Sequence, residues 1–111
     1  MENAAYQIWP TLKAQDMELI RKAPIGTMVY PDSSASIYIG CELGIGLALQ
    51  LSGPGIEGTL ELKVTGIPES FWKLRNEYAV YPLGWDVFLV HGDKVTAIPR
   101  STEVKITTQN H

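Results

Sequence analysis

From residue 35 onward, apolar side chains recur at every second position: Ile37, Ile39, Cys41 and Leu43, then Leu47, Leu49 and Leu51, then Leu60, Leu62 and Val64. A strand turns successive side chains to opposite faces, so this period specifies β-structure and is useless to a helix. Ser36, Tyr38, Gly40 and Glu42 separate the first set and Thr59, Glu61 and Lys63 the last, which predicts strands with one face open to solvent. Turn residues divide the runs. Gly44-Ile45-Gly46 is read as a chain reversal that makes residues 35–43 and 47–51 an antiparallel hairpin. Gly53-Pro54-Gly55 breaks the next strand, because proline donates no amide and glycine accepts positive backbone angles. Before these runs, Tyr30-Pro31-Asp32-Ser33-Ser34 reads as a turn cluster.

The remaining segments add two helices and more strands. Residues 4–9 form an apolar extended run closed by Pro10. From Thr11, the spacing of Leu12, Met17, Leu19 and Ile20 predicts a surface helix that ends before Pro24, with Thr11 or Asp16 as its cap. A second helix is expected over 68–78, with Pro68 in its first turn and Glu69 favourably placed against the helix dipole. Phe71, Leu74 and Tyr78, with Trp72 and Arg75 alongside, supply its packing stripe. Tyr81-Pro82-Leu83-Gly84 then leads into a strand over 87–90, Gly92-Asp93 marks a two-residue hairpin, and 95–98 returns beside it. Pro99 ends that pairing, and Val104 and Ile106 predict a last edge strand.

At 111 residues the chain suits one domain, 1–111, with a single core. A net charge of -3 without any basic run argues against nucleic acid as a partner. No stretch has the length and apolarity to span a bilayer, and Met1-Glu2-Asn3 is not the basic start of a signal peptide, so a cytoplasmic protein is expected. Cys41 is the only cysteine; set in an alternating apolar run, it reads as a small hydrophobe rather than a thiolate.

Candidate chemistry is sparse. His91 and His111 have no Cys, Asp or Glu at metal-ligand spacing, so no metal is expected. Phosphate-loop, dinucleotide and nucleophile-elbow signatures are absent, and no cofactor is implied. Gly53, Pro54 and Gly55 can present amides to an anion, although a plain inter-strand turn is favoured. Asp86, at the entry of an apolar strand, is either a general base or, as favoured, an acceptor for local amides. Arg100 can take a phosphate bidentately, or pair with Asp86 or Glu103 and pin the C-terminal segment; the ion pair is favoured. Trp9, Trp72 and Trp85 are read as core or interface side chains.

The succession Gly53-Pro54-Gly55-Ile56, a helix, Tyr81-Pro82-Leu83-Gly84-Trp85-Asp86 and Ile98-Pro99-Arg100-Ser101-Thr102 resembles the C-terminal part of the PhnH family, subunits of the bacterial carbon-phosphorus lyase system. The resemblance runs from about the first strand to Val104. Family members are longer, with an N-terminal portion that has no counterpart here, so a truncated member is expected. The resemblance implies a three-layer α/β/α fold with a mixed, largely antiparallel-hairpin sheet. That fold is similar to the large domain of pyridoxal-phosphate transferases, without the cofactor or its lysine.

It also implies a non-catalytic role: homodimers that join PhnG, PhnI and PhnJ. In that system adenine of ATP is displaced by a phosphonate to give ribose 1-phosphonate 5-triphosphate, and PhnJ cleaves the carbon-phosphorus bond with an iron-sulfur cluster and S-adenosylmethionine. Two alternatives stand beside this one. The first is a small enzyme or binding module using Asp86 and Arg100 on a phosphate-bearing ligand, and the second is a degenerate fragment without partners.

Overall fold

The alternating runs build two sheets rather than one. In a computed structural model describing residues 6–23, 35–80 and 83–107, the strands are β1 (Tyr6–Trp9), β2 (Ser36–Gly40), β3 (Glu42–Gly53), β4 (Ile56–Thr65), β5 (Asp86–His91), β6 (Lys94–Ile98) and β7 (Glu103–Ile106). One sheet has the order β1-β2-β5-β6 and the other β4-β3-β7. In the first, β1, β2 and β5 are parallel and β6 returns antiparallel to β5. The second is antiparallel throughout. The fold is therefore α/β with a mixed sheet, an antiparallel sheet and few helices. The turn cluster at 30–34, Pro24, Tyr81, Pro82 and His111 lie outside the described residues.

The hairpin expected at Gly44-Ile45-Gly46 does not form, and β2 and β3 belong to different sheets. The Cys41 amide donates to the Val90 carbonyl at 3.0 Å, which carries the ladder with β5 one residue past β2. The Leu43 amide then donates to His91 Nδ1 at 3.2 Å, and the chain crosses to the second sheet. The Gly-Ile-Gly segment is an irregularity inside a twelve-residue β3, where the register against β4 shifts between Leu43 and Leu47. Gly44 and Gly46 take φ of +96° and +111° there, and the Thr65 hydroxyl donates to the Ile45 carbonyl at 2.6 Å. Glycine pairs of this kind serve a bulge as well as a reversal; the partner strand decides between them.

The first predicted helix is shorter than its apolar spacing implies. The Lys13 amide donates to Asp16 Oδ2 at 2.9 Å and so holds a 3-10 turn (Ala14–Asp16), leaving one helical turn, α1 (Met17–Ile20). Met17 and Ile20 are buried, while Leu19 stays 56% exposed. The second helix, α2 (Glu69–Tyr78), follows Pro68 as expected. β7 forms at the edge of the antiparallel sheet.

One core joins these parts. Ile37, Ile39, Val87, Leu89 and Ile98 from the mixed sheet meet Leu49, Leu51, Val64 and Val104 from the antiparallel sheet, with Phe71, Trp72 and Leu74 of α2 and Met17 and Ile20 of α1. The two sheets treat their other faces differently. The antiparallel sheet turns Gln50, Ser52, Glu61, Lys63 and Lys105 outward, the usual polar outside. The mixed sheet turns Ile8, Tyr38, Phe88 and Val90 outward, with Ser36 and Asp86 at one end of the same face.

Candidate functional site

Asp86 and Arg100, fourteen positions apart, are brought together by the hairpin of β5 and β6. Val87 lies opposite Ile98, so Asp86 stands beside the residues that follow β6. There the chain turns: the Thr102 amide donates to the Pro99 carbonyl at 3.0 Å. The Arg100 amide donates to Asp86 Oδ1 at 2.9 Å, and Arg100 Nε approaches the same oxygen at 3.6 Å. Asp86 thus accepts a backbone amide and holds an ion pair, with Arg100 as partner in both. The pair is partly open to solvent, with side chains 30% and 19% exposed, so screening limits its direct value to about 1 kcal/mol.

Behind the turn lies Arg75, which is almost wholly buried. Its Nη2 donates to the carbonyls of Pro99 and Thr102, each at 2.8 Å, and its Nη1 to Asn76 Oδ1 at 3.2 Å. The Asn76 amide group continues to the Val104 carbonyl at 2.8 Å. One planar fork therefore ties α2 to both ends of the turn. Burial lowers the Arg75 guanidinium to about 10, against the opposing pull of the Asp86 carboxylate. Its Nε is buried without a hydrogen-bond partner.

A groove of about 420 Å³ opens at this turn, lined among others by Arg75, Asn76, Arg100, Ser101 and Glu103. Both signs of charge face it. Gly53 approaches from β3: a Cβ there would meet the Ser101 carbonyl at 3.0 Å. Pro54 and Gly55 form the exposed tip of the turn between β3 and β4. Gly55, at φ +86°, takes the position where a type II turn requires glycine. Of the candidates, Gly53, Asp86 and Arg100 thus meet around the turn at 99–102, while Pro54 and Gly55 project beyond it.

Arg75, Asn76 and Thr102 are the members that motif reasoning misses. The signal for Arg75 is its place on the packing stripe of α2, where a cation needs partners. Trp72 and Trp85 are buried, and Trp85 Nε1 donates to the Ala23 carbonyl at 3.1 Å. Trp9 Nε1 donates to Gln7 Oε1 at 3.0 Å. Burial raises the Cys41 thiol pKa. Among the described residues, no group of three or more His, Cys, Asp or Glu side chains is placed to hold a metal ion, and no helix is long and apolar enough to cross a membrane.

Comparison with known proteins aligns residues 1–105 with the family described as bacterial phosphonate metabolism protein (PhnH). A C-P lyase subunit protein, HtxG, of Stutzerimonas stutzeri is 35% identical over 96 residues, 84% of this chain and 49% of the relative. The alpha-D-ribose 1-methylphosphonate 5-triphosphate synthase subunit PhnH of Rhizobium meliloti (strain 1021) is 32% identical over 83 residues, 73% of this chain and 42% of the relative. The chain spans about half the length of the curated relatives it matches.

Proposed function

The chain belongs to the PhnH family of bacterial phosphonate metabolism proteins, and from that premise we propose that it is a non-catalytic subunit of a carbon-phosphorus lyase complex. Its contribution is shape and contact surface for the step that forms alpha-D-ribose 1-methylphosphonate 5-triphosphate from ATP and a phosphonate. The observation that carries this reading is the match over residues 1–105, with the C-P lyase names of two relatives at 35% and 32% identity. The geometry supports it as well. Arg75 and Asp86 both spend their polar groups on the turn at 99–102, which suits a rigid contact surface better than a reaction centre.

The partners in this reading are PhnG, PhnI and PhnJ, in the cytoplasm, together with a second copy of the chain. A homodimer is supported by Ile45 and Leu60, which are 62% and 54% exposed on the antiparallel sheet. The contact residues we assign are Gly53, Pro54 and Gly55 at the projecting turn, with Asp86 and Arg100 behind it. In the longer relatives this half belongs to a three-layer α/β/α domain similar to the large domain of pyridoxal-phosphate transferases.

Co-expression of the chain with PhnG, PhnI and PhnJ tests the proposal. Co-purification of all four is expected, with no turnover by the isolated chain. Failure to associate, or turnover of a nucleotide or phosphonate by the chain alone, would overturn it. The groove beside Arg100 favours a second reading, a module that binds a phosphate-bearing ligand by itself. Millimolar or tighter binding of inorganic phosphate by the isolated chain, lost in a folded Arg100→Ala variant, would establish that reading.

A further inference from the structure

The two edges of the antiparallel sheet are finished differently. β7 is four residues long, and its Val104 carbonyl accepts from Asn76 Nδ2 of α2 at 2.8 Å. β4 is ten residues long and has no neighbour beyond it among the described residues. Alternation identifies the groups left open there. The Thr107 amide donates to the Ala48 carbonyl at 2.9 Å, so Ala48 directs its backbone groups toward β7. Successive residues of a strand direct them to opposite sides, so Leu47, Leu49 and Leu51 face β4, opposite Val64, Leu62 and Leu60. The amides and carbonyls of Glu61 and Lys63 therefore point away from β3, along the open rim.

Side chains along this rim are ordered as well. On the core side Leu51 is buried and Leu60, opposite it, is 54% exposed, so an apolar row stops at the rim. On the outer side Glu61 and Lys63 carry opposite charges two positions apart. Irregularities bound the straight stretch: Gly58 at φ +74° on one side and the register shift at Val64 on the other. An open edge of this kind is a template for a further strand, and its area selects the occupant. About six residues at about 3.4 Å each, about 10 Å deep, cover roughly 200 Å². A stable dimer buries about 800 Å² on each partner, so a second copy seated by this rim alone is undersized. A single extended segment needs no more than the rim, because main-chain bonds hold it and alternate side chains select it.

We propose that the free edge of β4 receives an extended segment of a partner subunit, laid antiparallel as an added strand of this sheet. The segment places apolar side chains against Leu60 and Leu62, a basic side chain opposite Glu61 and an acidic one opposite Lys63. The inference rests on the subunit reading and deepens it by naming the strand that receives the partner and the pattern the partner must carry.

Two arms test it, both read by hydrogen exchange at the Glu61 and Lys63 amides. In the first, the chain meets a short synthetic peptide that alternates valine with a lysine opposite Glu61 and a glutamate opposite Lys63. Both amides are expected to exchange at least about tenfold more slowly with the peptide at millimolar concentration. Glu61→Pro removes only a donor that faces the open side, so it keeps the ladder to β3 and weakens the peptide about tenfold or more. In the second arm the chain is co-expressed with PhnG, PhnI and PhnJ, and the same two amides are expected to be protected in the complex. A peptide that leaves them unprotected, or that binds the folded Glu61→Pro variant as well as the parent, would overturn the proposal. So would protection that grows with the concentration of the chain alone, since β4 would then be pairing with its own copy. A complex that forms with both amides still exchanging freely would overturn the proposal and leave the subunit reading standing. No complex at all, with the peptide bound, would sink the subunit reading and leave β4 as a strand-receiving edge.

Discussion

Replacing Arg75 by lysine is expected to damage the protein more than replacing it by methionine. The guanidinium lies well below its ordinary pKa, at about 10, chiefly through burial. At about 1.4 kcal/mol per pH unit, that displacement corresponds to about 3 kcal/mol. For a base whose folded pKa is depressed, this cost is fully present below about pH 10 and fades only as the pH rises beyond it, so neutral solution carries all of it. What offsets it is the fork: two charge-assisted bonds to the Pro99 and Thr102 carbonyls, both at 2.8 Å, at about 1.5–3 kcal/mol each. Methionine forfeits both bonds and also sheds the buried charge, for a net loss of about 1.5 kcal/mol. Lysine keeps a charge but its ammonium ends one bond short of the point where Nη2 meets both carbonyls, for a loss of about 3 kcal/mol. Urea denaturation followed by tryptophan fluorescence reads the difference, because Trp72 and Trp85 are both buried. With a slope of about 1.5 kcal/mol per molar urea, the lysine variant shifts the midpoint by about 2 M. A lysine variant within about 0.5 kcal/mol of the parent, or a methionine variant that is the worse of the two, would falsify the assignment of Arg75 as the fork that holds the turn.

Three further outcomes follow from the same geometry. Asp86→Asn keeps an acceptor for the Arg100 amide and is expected to cost under about 1 kcal/mol, whereas Asp86→Ala removes it and costs about 1–2 kcal/mol; equal losses in denaturant titrations would contradict the amide bond as the main contribution. Gly40→Ala places a methyl group against the Pro10 carbonyl and is expected to destabilise by about 1–3 kcal/mol, seen as a lower thermal midpoint; an unchanged midpoint would show that the strand can shift away. Because burial raises the Cys41 thiol pKa, iodoacetamide is expected to alkylate the folded chain at neutral pH at least about tenfold more slowly than the urea-unfolded chain, and equal rates would refute that.

Much of the local structure was legible in the residues, and its long-range arrangement was not. The period of two found β2, β3 and β4, and the run Pro68-Glu69 followed by Phe71, Trp72 and Leu74 found α2, because local geometry decides both. The sorting of strands into two sheets failed at one point. Gly44-Ile45-Gly46 satisfies a reversal and a bulge equally well, and the choice lies with Val64 and Thr65, some twenty residues away. The site shows the same division. Asp86 and Arg100 were visible as charges beside turn residues, and a pairing between them was among the options. Arg75 counted only as part of a packing stripe, since nothing within α2 reveals that the Pro99 and Thr102 carbonyls come to meet it.

Pairing of β2 with β5 sets Ser36 beside Asp86, roughly fifty positions later in the chain. The loop so closed contains the whole β3 and β4 hairpin and α2, and closing it has an entropic cost that a local hairpin avoids. In refolding from urea, the hairpin and α2 therefore take shape early and the parallel ladder zips up late, which places the slow phase of folding at the central strands of the mixed sheet. Pulse-labelled amides of Leu49 and Leu62 gain protection ahead of those of Tyr38 and Phe88.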